Sequence, residues 1–322
     1  MELSQEQIRF FQENGFLKVE NLIEKKRSDV ISKTMLMLAQ KFGKEYFEEI
    51  SEDNIFENQK FHDAIIKLKK ENPLVSGMIY DSLQGSIALD ALLMDEEIQK
   101  AVSQLSNEDI HNHSFVNTYV RMDVPDDDKN RLDWHQDFCS SEQVVDHRNG
   151  LVAWIPLVDT NEKNGTITLC PKSHNELNAK DMIVNERISA NHSEYLFFPD
   201  SIANKYEKIC VDTKIGDVIF IPMTITHSSG TNTSNRVRFT ALGRYYPMSA
   251  KDFPPGRRMY VFSKTETNDT IFTKGKIKKS KELLCLECRA SLQDQYTISS
   301  PSGKFYCVDC AKKLDLLNSA NN

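Results

Sequence analysis

Gly216-Asp217-Val218-Ile219-Phe220-Ile221-Pro222 is the stretch on which the fold turns. A Gly-Asp turn opens into a continuous apolar run, the pattern of a buried strand stiff enough to hold a ligand just beyond its end. His227 follows, and Val237 to Tyr246 is the next strand-like run. Working back, Phe115 to Val120, Leu151 to Val158 and Gly165 to Cys170 are short β-branched and aromatic runs separated by Gly, Pro, Asn and Asp. Their spacing is that of an all-β barrel or sandwich. The first third reads differently. Ser4 and Gln7 form a capping-box pattern ahead of Ile8, Phe10 and Phe11, and Asn14-Gly15 breaks the helix they start. Phe16 to Val19 reads as a strand, Asn21 to Phe42 as a second helix, and residues 43 to 110 as mostly helical, with Ile65, Ile66, Val75, Met78 and Ile79 at helical spacing.

The chemistry-bearing stretch is Leu132-Asp133-Trp134-His135-Gln136-Asp137-Phe138. His-x-Asp on a strand puts an imidazole and a carboxylate on one face. Alone, the triplet is weak and far more often a loop coincidence than a metal site. His227 supplies the second histidine, and two His with one carboxylate form a facial triad that leaves three positions of an octahedral Fe(II) open. Arg238 lies eleven positions after His227 on the following strand. By itself it reads as a surface strand cation. Beside the triad, its planar charged fork suits the far carboxylate of a dicarboxylate such as 2-oxoglutarate. Arg236 and Arg244 share its strand parity and serve as controls for it.

Four stretches of this sequence together resemble the phytanoyl-CoA dioxygenase family of Fe(II)/2-oxoglutarate oxygenases. They are Gln7 to Leu17; Trp134-His135-Gln136-Asp137; Val152 to Leu157 with Asn164-Gly165 and Pro171-Lys172-Ser173-His174; and His227 to Ser234 ending in Arg238. Lys172 departs from the family's glycine. The resemblance implies a mainly β fold with flanking helices, a double-stranded β-helix (jelly roll, cupin-like) holding the metal in the barrel mouth. It implies that His135, Asp137 and His227 bind iron, that Arg238 and Ser229 hold the distal carboxylate, and that Tyr119, Gln136 and Trp154 line the cosubstrate pocket. Plain alternatives stand beside the last three: a strand tyrosine, a hydrogen-bonded support and a core tryptophan. His62, His111, His113, His147 and His192 read as surface or capping residues. The implied activity is hydroxylation of an unactivated carbon of a small-molecule or carrier-bound metabolite, using O₂ and releasing succinate and CO₂. Desaturation and demethylation share the same initial step. The loop Val124 to Asp133, with Arg131, is a candidate entrance or a solvated loop. Two other classes fit part of the pattern. Arg238 counts against a cupin-like metal protein or isomerase without 2-oxoglutarate turnover, and the intact ligand set counts against an inactive barrel working through its C-terminal module.

That module ends a chain of 322 residues with 39% hydrophobic and 27% charged residues, the composition of an ordinary globular protein. Residues 263 to 322 hold 10 basic and 7 acidic residues, and the remaining 30 basic and 40 acidic ones give 1 to 262 a net charge of −10, which argues against nucleic acid as a partner of the main body. No run reaches the roughly 18 apolar residues of a membrane span. The start MELSQEQIRFFQENG lacks a signal-peptide pattern, and the odd total of seven cysteines suits a reducing cytoplasm. Cys285-x-x-Cys288 and Cys307-x-x-Cys310 stand 18 residues apart, a zinc-ribbon or treble-clef spacing, and predict a structural Zn²⁺ site. Tyr296-Thr297-Ile298 and Lys304-Phe305-Tyr306 suit a hairpin between them, and Cys310 can open a short helix. The sequence thus divides into an oxygenase domain over 1–262, a lysine-rich linker over 263–281 and a zinc module over 282–322. For the module, docking, self-association or a protein contact ranks above nucleic acid.

Overall fold

The computed structural model describes residues 2–51, 55–127, 131–137, 149–176, 183–184, 196–250, 253, 297–299, 305–307 and 310. It divides into two compact units, Met1–Phe253 and Pro254–Asn322.

In the first unit, helix α1 (Gln5–Asn14) starts on the Ser4 capping box and stops at Gly15, whose left-handed φ of 76° lets its N–H reach the Phe11 carbonyl. The chain then enters strand β1 (Leu17–Val19). Six helices follow: α2 (Lys25–Phe42), α3 (Lys44–Phe47), α4 (Gln59–Glu71), α5 (Pro73–Gln84), α6 (Ile87–Leu93) and α7 (Glu96–Ser106). Helix α2 begins four residues later than the sequence pattern suggests. Asn21 adopts a φ of 50°, Leu22 and Ile23 are buried in the core, and the Ile23 N–H bonds to the Gly216 carbonyl.

Among the described residues, nine further strands belong to this unit: β2 (His113–Asp123), β3 (Leu151–Pro156), β4 (Ile167–Leu169), β5 (Ile183–Val184), β6 (Leu196–Phe197), β7 (Ile209–Cys210), β8 (Val218–Pro222), β9 (His227–Ser229) and β10 (Arg238–Pro247). The large antiparallel sheet has the order β1-β8-β3-β10-β2, and a smaller one the order β7-β4-β9. Short helix α8 (Asp200–Ala203) precedes β7.

Alternation along the central strands sorts their side chains into two cores. Ala153, Ile155, Val218, Phe220, Phe239 and Ala241 face the helices, packing with Ile31, Met35, Phe61 and Leu89. Val152, Trp154, Ile219, Ile221, Leu242 and Tyr246 face inward and meet Ile167, Leu169 and Val211 from the smaller sheet's side. Both faces of β3 and β8 are therefore covered, so they read as unbroken apolar runs. The result is a jelly-roll-like arrangement of antiparallel sheets with helices on one flank.

His62 departs from its expected surface or capping role. It is fully buried on α4, between the Phe56 carbonyl (Nε2, 2.8 Å) and the Val237 N–H, which donates to Nδ1 at 3.0 Å. It ties the helical layer to the start of β10. His111 and His113 lie at a 3₁₀ turn capped by Asp109, while His147 and His192 lie outside the described residues.

In the second unit, β11 (Thr297–Ser299) and β12 (Phe305–Cys307) form an antiparallel hairpin pairing Thr297 with Cys307 and Ser299 with Phe305. Cys310 is buried. The expected ligands Cys285 and Cys288 and the linker 263–281 lie outside the described residues. Among the described residues, no helix is long and apolar enough to cross a membrane.

Candidate metal centre and anion site

His135 and His227 face each other across an antiparallel bridge, each backbone N–H donating to the other's carbonyl at 2.9 Å. Only this bridge forms at His135, and Asp137 sits in a turn, so the segment is less regular than the expected strand. The three side chains nonetheless converge. Each imidazole turns its Nδ1 to a backbone carbonyl, His135 to Asp133 at 2.7 Å and His227 to Ile225 at 3.1 Å. Those bonds place the proton on Nδ1 and aim both Nε2 lone pairs at one carboxylate oxygen of Asp137, 3.7 and 4.0 Å away. One donor atom from each residue lies within 4.8 Å of the others.

The electrostatics favour the metal-binding protonation states. Burial, reinforced by the neighbouring His227, pushes His135 down to about 3, and burial also lowers His227. Burial alone would raise Asp137, but Arg244 and the two imidazoles outweigh it and hold the carboxyl well below its usual range. Two neutral imidazoles and one carboxylate can therefore receive a divalent cation without first releasing protons. The second carboxylate oxygen of Asp137 is buried without a hydrogen-bond partner, as are Oε1 of Gln136 and Oγ1 of Thr240. Orphaned acceptors of this kind are rare in a folded interior and mark a place where a ligand or ion is expected.

Behind the triad, Ser173 is the fastener. Its hydroxyl donates to the Cys170 carbonyl at 2.7 Å and accepts the Thr226 N–H at 2.9 Å, fixing the residue before His227. Lys172 donates its N–H to the Asn14 carbonyl, and the adjoining His174 contacts the Gln12 carbonyl, clasping α1. Lys172 takes a left-handed φ of 69°, which accounts for the glycine expected there. At the end of the β4–β9 pair, Gly165, with φ of 79°, and Gly230 pack backbone to backbone. A Cβ on Gly165 would lie 2.5 Å from the Gly230 carbonyl oxygen.

Arg238 is buried, with Nη2 bonded to Asp123 at 2.8 Å and Nε without a partner. Asp123 is also gripped by Arg121 at 2.7 and 3.2 Å, and though burial opposes its ionisation, the two arginines hold its carboxyl well below the normal range. Ser229 lines a small cavity with Asp123, Arg131 and Asn232. Trp154 packs in the inter-sheet core, and Gln136 donates to the Thr226 hydroxyl at 3.4 Å. Tyr119 lies under the Arg244 guanidinium, 5.2 Å from its ring centroid.

The two control arginines do not behave alike. Arg236 bonds the Phe56 carbonyl at 3.1 Å. Arg244 belongs to the site, donating from Nη2 to Asp137 at 2.7 Å, and so is no inert control. Arg121, Asp123 and Arg244 are the site residues that the sequence reading missed. A signal existed for the first two: in Tyr119-Val120-Arg121-Met122-Asp123 they share parity with Tyr119.

The family model for phytanoyl-CoA dioxygenase matches residues 11–240, and the chain belongs to that family. Solved structures resembling it include the epimerase SnoN in complex with Fe3+, alpha ketoglutarate and nogalamycin RO (16% identity, 79% of this chain and 91% of that one, TM-score 0.48). Others are EctD from S. alaskensis with 2-oxoglutarate and 5-hydroxyectoine (14%, 80% and 84%, TM-score 0.45) and EvdO2 from Micromonospora carbonacea var. aurantiaca (13%, 79% and 98%, TM-score 0.48). No curated protein matches the chain.

Proposed function

We propose that this protein is a non-haem Fe(II)- and 2-oxoglutarate-dependent dioxygenase that hydroxylates an unactivated carbon of a small-molecule or carrier-bound metabolite. The observation that carries the reading is the triad: two neutral imidazoles and a carboxylate, oriented by backbone bonds and lying within 4.8 Å of one another. His135, Asp137 and His227 hold the metal. When bound, Fe(II) and 2-oxoglutarate supply the oxidising chemistry, with one oxygen atom of O₂ entering succinate and the other the substrate, and with CO₂ released.

The chain's own residues bind and orient. Arg238 holds the distal carboxylate, with Ser229 in the cavity that its partner Asp123 also lines, and Arg121 shares the charge of Asp123 so that Arg238 can accept a second anion. Tyr119, Gln136 and Trp154 wall the pocket, and the apolar inter-sheet core keeps bulk water from it. Anaerobic addition of Fe(II) and 2-oxoglutarate tests the reading. A weak visible charge-transfer band and O₂-dependent succinate formation are expected. Iron-loaded protein that neither binds 2-oxoglutarate nor makes succinate would refute it.

For the second unit, the proposal is a structural Zn²⁺ held by Cys285, Cys288, Cys307 and Cys310. The paired Cys-x-x-Cys spacing and the hairpin leading to the last pair support it. Its use is contact with another protein or self-association.

A further inference from the structure

Arg244 is more than a support for Asp137. It projects from the inward face of β10, in phase with Arg238, Leu242 and Tyr246, and stands opposite a β-bulge where the pairing with β2 shifts by one residue. Bulges of this kind re-aim side chains beside active sites. Its planar group is held from two sides, by Asp137 at Nη2 and by the Tyr119 ring below. Nε and Nη1 are buried and unpartnered. An incompletely paired guanidinium out of water is costly, and each of these two nitrogens has an N–H to offer an acceptor oxygen that the protein does not supply.

The charge balance identifies the acceptor. Among the described residues inside this end of the barrel, three arginines (121, 238 and 244) face two carboxylates (Asp123 and Asp137). A divalent metal and a dianionic cosubstrate cancel each other. One positive charge is left over, and once the charge of Asp137 serves the metal it is Arg244 that loses its counter-charge.

We infer that Arg244 is a specificity-determining residue that holds an anionic group, a carboxylate, of the prime substrate next to the metal centre. This rests on the oxygenase reading above. The substrate is then a small acid whose oxidised carbon lies near its carboxylate. A neutral isostere such as the primary amide can accept a hydrogen bond from the arginine but forms no ion pair with it.

The test uses full-length protein loaded with Zn(II) in place of iron and saturated with 2-oxoglutarate, titrated calorimetrically with matched aliphatic and aromatic monocarboxylates and their primary amides. At least one acid is expected to bind tenfold or more tighter than its amide. Arg244→Gln, which can still donate to Asp137, should erase that preference, and Arg244→Lys should keep part of it. With the iron enzyme, the same acid should speed succinate formation more than its amide does. If no acid outbinds its amide, or if the preference survives in Arg244→Gln, the inference is overturned. Should Arg244→Gln instead lose 2-oxoglutarate itself, the arginine serves the cosubstrate's own carboxylate, which also overturns it. If wild-type protein fails to bind 2-oxoglutarate at all, it is the oxygenase reading that falls.

Discussion

Lowering the pH should weaken this fold through His62, and replacing that one residue should remove the effect. Burial, with Arg236 adding to it, pushes the imidazole down to about 4 from 6.5. The neutral ring is also demanded by its contacts, because Nδ1 accepts the Val237 N–H while Nε2–H donates to Phe56. Protonation would set one donor against another. The unfolded chain takes up this proton below about pH 6.5 and the folded chain refuses it until about 4. Stability is therefore intact above 6.5 and declines as the pH falls through that window. At pH 5 the two values translate to roughly 2 kcal/mol lost relative to pH 7. Urea unfolding of wild-type protein and His62→Gln across pH 4.5 to 7.5 isolates the contribution, since His135, His227 and the buried carboxylates titrate in both proteins. The difference between the two curves should narrow by about 2 kcal/mol from pH 7 to pH 5. Parallel curves would show that His62 is not held neutral by its surroundings.

Arg238→Ala should weaken 2-oxoglutarate binding on the order of tenfold to over a hundredfold while leaving metal affinity nearly intact, as measured by calorimetry, since a charge-assisted pair contributes roughly 1.5 to 3 kcal/mol. A larger effect from Arg236→Ala would mean the wrong arginine has been assigned. Asp137→Ala should abolish turnover and bound Fe(II), the site having lost its anionic ligand, and near wild-type hydroxylation would exclude Asp137 as a ligand. Gly165→Ala forces a Cβ to 2.5 Å from a backbone oxygen at a φ of 79°, so thermal unfolding should register a loss of roughly 1 to 3 kcal/mol, whereas Lys172→Gly, relieving a φ of 69°, should gain about 1 kcal/mol. Metal analysis should find one zinc per chain, lost in both Cys285→Ser and Cys307→Ser. Full zinc retention by either variant would refute the four-thiolate site.

Local patterns in the sequence carried far. The capping box at Ser4, the stop at Gly15 and the double-faced strand Val218–Pro222 follow from rules acting over a few residues and formed where those rules place them, while the strand expected over Leu151 to Val158 ends at Pro156. Two-residue alternation could have brought Arg121 and Asp123 in beside Tyr119. It could not rank Arg244 above Arg236, since both share a parity with Arg238 and differ only in what lies across from them.

What the sequence by itself determined is the set of chemical groups and the phase of each along its strand, because backbone geometry makes those properties local. The tertiary structure alone decided the pairings. His62 looks like any helix histidine until α4 packs against the entry to β10, and Asp123 looks like a loop acid until β2 lies beside β10 in the register that sets it opposite Arg238. The Asp137–Arg244 contact joins residues 107 positions apart, and each holds the other charged against the burial that opposes it. Burial and long-range register depend on every element packed around a site, which is why no window of sequence contains them.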